Sequence, residues 1–236
     1  NGDISKRDVS KVTTMTRIFY SASSFDGDIS MWDLTHVTDV GGMFWRTLEF
    51  NSDVSKWDVS SVTQMNFMFS AASSFNGHIS KWDVSKALDM TRMFNDAASF
   101  NGDISKWDVS SVTNMDIMFA GATSFNGDLS KWDVSSVATM DFMFFKAQAF
   151  NQTLSGAAWG KSTASKEDMF TGSSGSIAPP GCTTTTRGEC CRQPHPCCSV
   201  IAFHLVCEKS YPPLSRPSLL STNPRYTKIQ KQNTCK

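Results

Sequence analysis

A chain of 236 residues suggests one or two domains, and its formal charge of zero hides two unlike parts. Residues 1–175 carry 14 Lys+Arg against 20 Asp+Glu, a net of −6, whereas residues 176–236 carry 8 against 2, a net of +6. The acidic part disfavours nucleic acid as a partner, and the lack of a run of about 18 apolar residues excludes a predicted membrane span. The sequence starts at Asn1, inside a repeat and without a leader. It therefore reads as a fragment or processed chain and leaves the secretory route open.

Phenylalanine returns every 25 residues at Phe25, Phe50, Phe75, Phe100, Phe125 and Phe150, and again at Phe19, Phe44, Phe69, Phe94, Phe119 and Phe144. Tryptophan does the same at Trp32, Trp57, Trp82, Trp107 and Trp132, with Arg7 in the first slot. A fixed period of this size predicts stacked units, each burying its apolar side only against its neighbours. The expected fold class is α/β: a leucine-rich-repeat-like solenoid over residues 1–175, with about six 25-residue units and a degenerate last coil.

Residues 100–124, FNGDISKWDVSSVTNMDIMFAGATS, serve as the type unit. Ile104, Trp107 and Val109 follow an I-x-x-W-x-V spacing, and alternation over residues 106–110 predicts a short strand. Trp107 and Val109 then face inward, while Lys106, Asp108 and Ser110 face out in a parallel sheet. Met115, Met118, Phe119 and Ala122 fall at i, i+3, i+4 and i+7, one face of a short helix. Thr113 with Asp116 offers a capping box at its start, and Asn114 an alternative cap. Strands on one side and helices on the other would curve the stack, because helices need wider spacing than strands.

Departures from the unit are few. Arg7 suits an end exposed to water. Gly41, Gly42 and Trp45 disturb the second unit's helix, and His78 stands in an aspartate column. After Phe150 the pattern decays, with Trp159 two residues late and Met169-Phe170 late as well. A capping coil reads this way, and truncation of Trp159 should then cost much less than truncation of Trp107.

Two aspartate columns carry candidate chemistry: Asp8, Asp33, Asp58, Asp83, Asp108, Asp133, and Asp3, Asp28, Asp53, Asp103, Asp128. Stacked carboxylates repel, so they must be wet, hydrogen-bonded or neutralised. An Asx-type bond from Asp108 to backbone N–H near Ser110 is the expectation, and calcium bridging the weaker alternative. Asn51, Asn76, Asn101, Asn126 and Asn151, with Asp26 first, read as an amide ladder; Asn151-Gln-Thr also fits a glycosylation acceptor. No G-x-S-x-G, phosphate loop or H-E-x-x-H is present, and nothing calls for a cofactor or metal. An interrupted threonine row, including Thr38, Thr63 and Thr113, keeps ice binding as a distant option.

The unit resembles the repeats of BspA-like leucine-rich-repeat surface proteins. More closely, it is similar to the 25-residue lipoprotein-type repeats of unknown function related to them. Phe100, Asn101, Asp103, Ile104, Trp107, Asp108, Val109, Val112, Thr113, Met115, Met118 and Phe119 carry the likeness, which covers roughly residues 1–155. It implies an extracellular or surface-attached protein used for adhesion or recognition, with no catalytic residues to carry over.

From Ser176 the period is lost, and all seven cysteines lie from Cys182 onward. Residues 176–236 read as a disordered or non-native segment. His195 among Cys190, Cys191, Cys197 and Cys198 lacks the spacing of a zinc site. The function expected is non-enzymatic recognition of a protein or glycan through outward strand positions. These are Lys56, Lys81, Lys106 and Lys131, Asp58, Asp83, Asp108 and Asp133, and Ser60, Ser85, Ser110 and Ser135. A spacer or wall component is the structural alternative, and a carbohydrate-active solenoid the enzymatic one.

Overall fold

A computed structural model describes residues 2–179, 182–184 and 190–192. The chain divides into two units, Asn1–Ser199 and Val200–Lys236, and the described residues all belong to the first. Parallel bridges join one position per repeat, Thr14 to Asp39, Asp39 to Gln64, and so on through Asn114, Thr139 and Ser165. Successive repeats are therefore hydrogen-bonded in register.

The methionine-rich segment departs from the predicted helix. Alternate N–H groups leave the unit: those of Met115, Ile117, Phe119 and Gly121 donate to the carbonyls of Thr139, Asp141, Met143 and Phe145 in the next repeat, at 2.8 to 3.0 Å. The N–H groups between them, of Met118, Ala120 and Ala122, close turns onto carbonyls three residues back. An α-helix needs each N–H to bond four residues back within its own segment, so exporting every second donor precludes it. The turns require left-handed backbone at every fourth residue, and Ile117 (φ 60°) and Gly121 (φ 69°) supply it. Ile117, Arg17, Phe67, Arg92 and Phe142 hold this conformation without glycine. It is uncommon for bulky side chains, and the exported bonds on either side fix it there.

Residues 106–110 differ from expectation in the same sense. Burial alternates as predicted, with Trp107 and Val109 buried and Lys106 and Asp108 exposed. Yet turns close from Trp107 to Ile104 and from Val112 to Val109, and no strand forms. The amides a ladder would use are held locally: Asp103 accepts the N–H of Ser105 and Asp108 that of Ser110, each at 3.0 Å. The expected capping residues also serve neighbouring repeats. Asp116 accepts the N–H of Asp141 at 2.8 Å, and the Thr113 hydroxyl donates to the Leu88 carbonyl at 3.1 Å.

The core lies between two sets of columns. Each indole N–H reaches the preceding repeat, Trp57 to the Ile29 carbonyl, Trp82 to Val54, Trp107 to Ile79 and Trp132 to Ile104, at 3.0 or 3.1 Å. Arg7, lacking a preceding repeat among these residues, is exposed. Phe44, Phe69, Phe94, Phe119 and Phe144 stack 5.5 to 5.7 Å apart. Each also lies 3.8 to 4.1 Å from the phenylalanine six residues later. Methionines at 65, 90, 115 and 140 and at 68, 93, 118 and 143 are fully buried beside them.

The degenerate repeat keeps this order. β1 (Thr153–Leu154) leads into α1 (Ala157–Lys161), one turn of helix that absorbs the extra residues. Trp159 consequently rejoins its column, 1% exposed, with its N–H on the Leu129 carbonyl at 2.9 Å. Phe170 stacks on Phe144 at 5.6 Å. β2 (Ser176–Ile177) pairs parallel with β1, and the Ala178 N–H bonds to the Leu154 carbonyl. Hydrogen bonding to the repeats thus runs past residue 175, where the period ends. β3 (Cys182–Thr184) and β4 (Cys190–Arg192) form an antiparallel pair. The cysteine pairing and the zinc question around His195 lie outside the described side chains.

This packing sets an expectation for the last repeat. Trp159→Ala should cost on the order of 3–5 kcal/mol in urea unfolding, as much as Trp107→Ala, since both indoles are buried and hydrogen-bonded across repeats. A much smaller cost at Trp159 would restore the reading of that repeat as a loose cap.

Candidate functional site

The outward columns sort by what they bond. Asp58, Asp83, Asp108 and Asp133 are exposed, and each accepts the N–H of the serine two residues on, Ser60, Ser85, Ser110 or Ser135, at 3.0 Å. The Asx-type bond expected at Asp108 is present in every unit of this column, so two of the three predicted columns are tied to each other. Lys56, Lys81, Lys106 and Lys131 are exposed and make no hydrogen bond or ion pair among the described residues. The asparagine column is also structural. The side-chain oxygen of Asn51 accepts the Asn76 N–H, Asn76 that of Asn101, and Asn101 that of Asn126, each at 2.9 Å. Asp26 does the same for Asn51.

The carboxylates titrate low. At Asp103 the Ser105 hydroxyl, 2.7 Å away, and then the Ser105 N–H hold the pKa below its ordinary 3.8, with Lys106 helping. Asp58, Asp83 and Asp133 are lowered in the same way, by the hydroxyl and then the N–H of Ser60, Ser85 and Ser135. A depressed folded-state pKa stabilises the fold above the unfolded value of about 3.9 and stops doing so as pH falls through the folded value.

A second surface is formed by the turns. In the aligned repeats the columns 20 to 145 and 21 to 146 differ in every unit, and those of 14 to 139, 16 to 141 and 17 to 142 each hold four residue types. The exported bonds use backbone at these positions, so residue type can differ, although Asp39, Asp89, Asn114, Asp116 and Asn95 add side-chain bonds of their own. Together they set Tyr20, Trp45 and Phe67 in a row, at 4.8 and 5.0 Å between centroids. Arg17 lies 5.4 Å over Trp45, and Arg92 5.3 Å over Phe67. Further along, Phe142 meets Phe145 edge-on and Lys146 sits 5.0 Å from the Phe145 ring. Two hollows open on this surface, one beside Trp45 and one beside Phe145. Sequence reasoning took the disturbance at Gly41, Gly42 and Trp45 for a helix defect. Variation between units of one chain was the signal that would have found this surface.

The family model described as "Mycoplasma protein of unknown function, DUF285" matches residues 1–103 and again residues 77–178. The chain belongs to this family. No curated protein and no solved structure matches it. The DUF285 matches end at residue 178, and among the described residues the Ala178 N–H makes the last hydrogen bond to the repeats. No helix among the described residues is long and apolar enough to cross a membrane.

Two measurements check the structural roles of these columns. Replacing Asp58, Asp83, Asp103 and Asp133 together by Asn should lower melting near pH 7 modestly, since an amide oxygen still accepts the serine N–H but without the charge, and should flatten the loss of stability below about pH 4. Asn101→Ala should cost about 0.5–1.5 kcal/mol by removing the acceptor of the Asn126 N–H, whereas Asn101→Asp should cost little because Asp26 does that work already.

Proposed function

We propose that this DUF285 chain is a non-enzymatic recognition protein, a leucine-rich-repeat-like solenoid that binds a protein or glycan at or outside the cell surface. The observation that carries this reading is the division of labour within each repeat. Aspartate, asparagine, tryptophan and alternate amides are spent on bonds between or within units, in nearly the same way six times over. What remains outward is a continuous surface on which side chains can change without refolding the chain, the property that suits repeat arrays to binding. The resemblance of the unit to BspA-like leucine-rich-repeat surface proteins supports the adhesive role and the surface location.

Among the predicted site columns the lysines bear the reading, because the aspartates and serines beside them are already bonded. Lys56, Lys81, Lys106 and Lys131 form a cationic row suited to a polar partner held by many modest contacts. A spacer without a ligand is favoured by the same self-satisfied columns, and binding distinguishes the two.

The test is a screen of the full chain against cell-surface proteins and glycans, repeated with Lys81→Glu and Lys106→Glu together. Lost binding with unchanged melting supports recognition through the lysine row. Binding that survives the double change places the contact elsewhere, and silence across the screen favours the spacer.

A further inference from the structure

We propose that the hollow opened by Gly41 and Gly42 is a carbohydrate subsite that seats one ring of a neutral glycan against Trp45. The inference uses the reading of this chain as a recognition protein but not the lysine row.

Glycine makes the hollow. In the other units the two equivalent positions carry side chains, Thr16-Arg17, Asn66-Phe67, Thr91-Arg92, Asp116-Ile117 and Asp141-Phe142. The second unit alone has none. A Cβ on Gly41 would come 3.0 Å from the side-chain oxygens of both Asp39 and Asn66, and one on Gly42 would come 3.2 Å from the Arg17 side chain. Gly42 also holds φ 60°, the left-handed backbone this column requires. The result is a cavity of about 140 Å³ walled by Thr16, Arg17, Asp39, Trp45, Asn66 and Phe67.

The wall has the chemistry of a sugar site. A pyranose offers an apolar face of C–H bonds and a rim of hydroxyls that each donate and accept. Trp45, half-buried between Tyr20 and Phe67 and lining the hollow, supplies apolar surface for the first. Arg17 and the Asn66 amide supply planar donors, and Asn66 and Asp39 supply acceptors. Among the described residues neither the Asn66 side chain nor the Arg17 guanidinium has a hydrogen-bond partner; Arg17 rests only over Trp45. One Asp39 oxygen takes the Gly41 N–H at 2.8 Å, which leaves the other for a ligand. A cation and a carboxylate in one small cavity balance each other, so the site suits an uncharged ring. Asp39 would oppose an acidic one. The second hollow on this surface, about 450 Å³, repeats the combination with Phe142, Phe145, Arg92, Asn95 and Asp96.

The experiment applies the full chain to an array of neutral and acidic oligosaccharides and follows the hits by calorimetry. The proposal expects a neutral glycan to bind, Trp45→Ala to weaken it by about tenfold or more, and Arg17→Ala to weaken it without lowering the melting temperature. Because Trp45 also packs between Tyr20 and Phe67, a second variant guards against misfolding. Gly41→Asn with Gly42→Phe copies the third unit, where Phe67 holds φ 58° at the same place, and fills the hollow. It should melt like the parent and lose the glycan. Undiminished neutral-glycan binding in that variant overturns the proposal, as does binding of acidic glycans alone or of none. Protein binding lost with Lys81→Glu and Lys106→Glu, in a chain that takes no glycan, would overturn the sugar site and leave the recognition reading standing.

Discussion

Everything in the repeat region depends on alternate backbone N–H groups crossing from one unit to the next. Four such bonds per unit, from positions such as Met115, Ile117, Phe119 and Gly121, are short and run in one direction along the chain. They fix the spacing at which the phenylalanine and tryptophan columns meet. They also force the left-handed backbone at Ile117 and its equivalents, which isolated turns of this sequence would not adopt. The aromatic core in turn excludes water from these bonds, so ladder and core are mutually supporting.

That arrangement explains what could and could not be read from the sequence. The columns were legible because burial of Phe and Trp at a fixed period has one simple cause. The aspartate bonds were legible because they are local, from Asp108 to Ser110, and need no knowledge of the fold. The helix was misread because Met115, Met118, Phe119 and Ala122 face one side whether the chain winds as a helix or steps through linked turns. Hydrophobic period cannot separate the two, since the difference lies in where the N–H groups go. Trp159 was misread for a related reason. Counting residues treats an insertion as decay, whereas one turn of helix at Ala157–Lys161 takes up the slack and restores the indole to its column.

The candidate surfaces divide along the same line. Columns with a bond to make, such as Asn101 and Trp107, scarcely vary from unit to unit. Columns on the turns vary more because the bond every unit makes there is a backbone one, and side-chain bonds such as those of Asp39 and Asp116 are added only in some units. The second unit uses that freedom most, giving up side chains at Gly41 and Gly42 where its neighbours keep them. A surface that differs from repeat to repeat can address a ligand at one place along its length, which a uniform lysine row cannot do.

The shared register of all these columns also constrains how such a chain can change in length. Deleting or duplicating one whole 25-residue unit would return each N–H, indole and asparagine to an equivalent partner. A change of any other size inside the array would break the backbone, indole and amide ladders at once. Growth and shrinkage of the gene are therefore quantised, and the last repeat shows the exception, an irregular count accommodated where only one side of the unit has a regular neighbour to match.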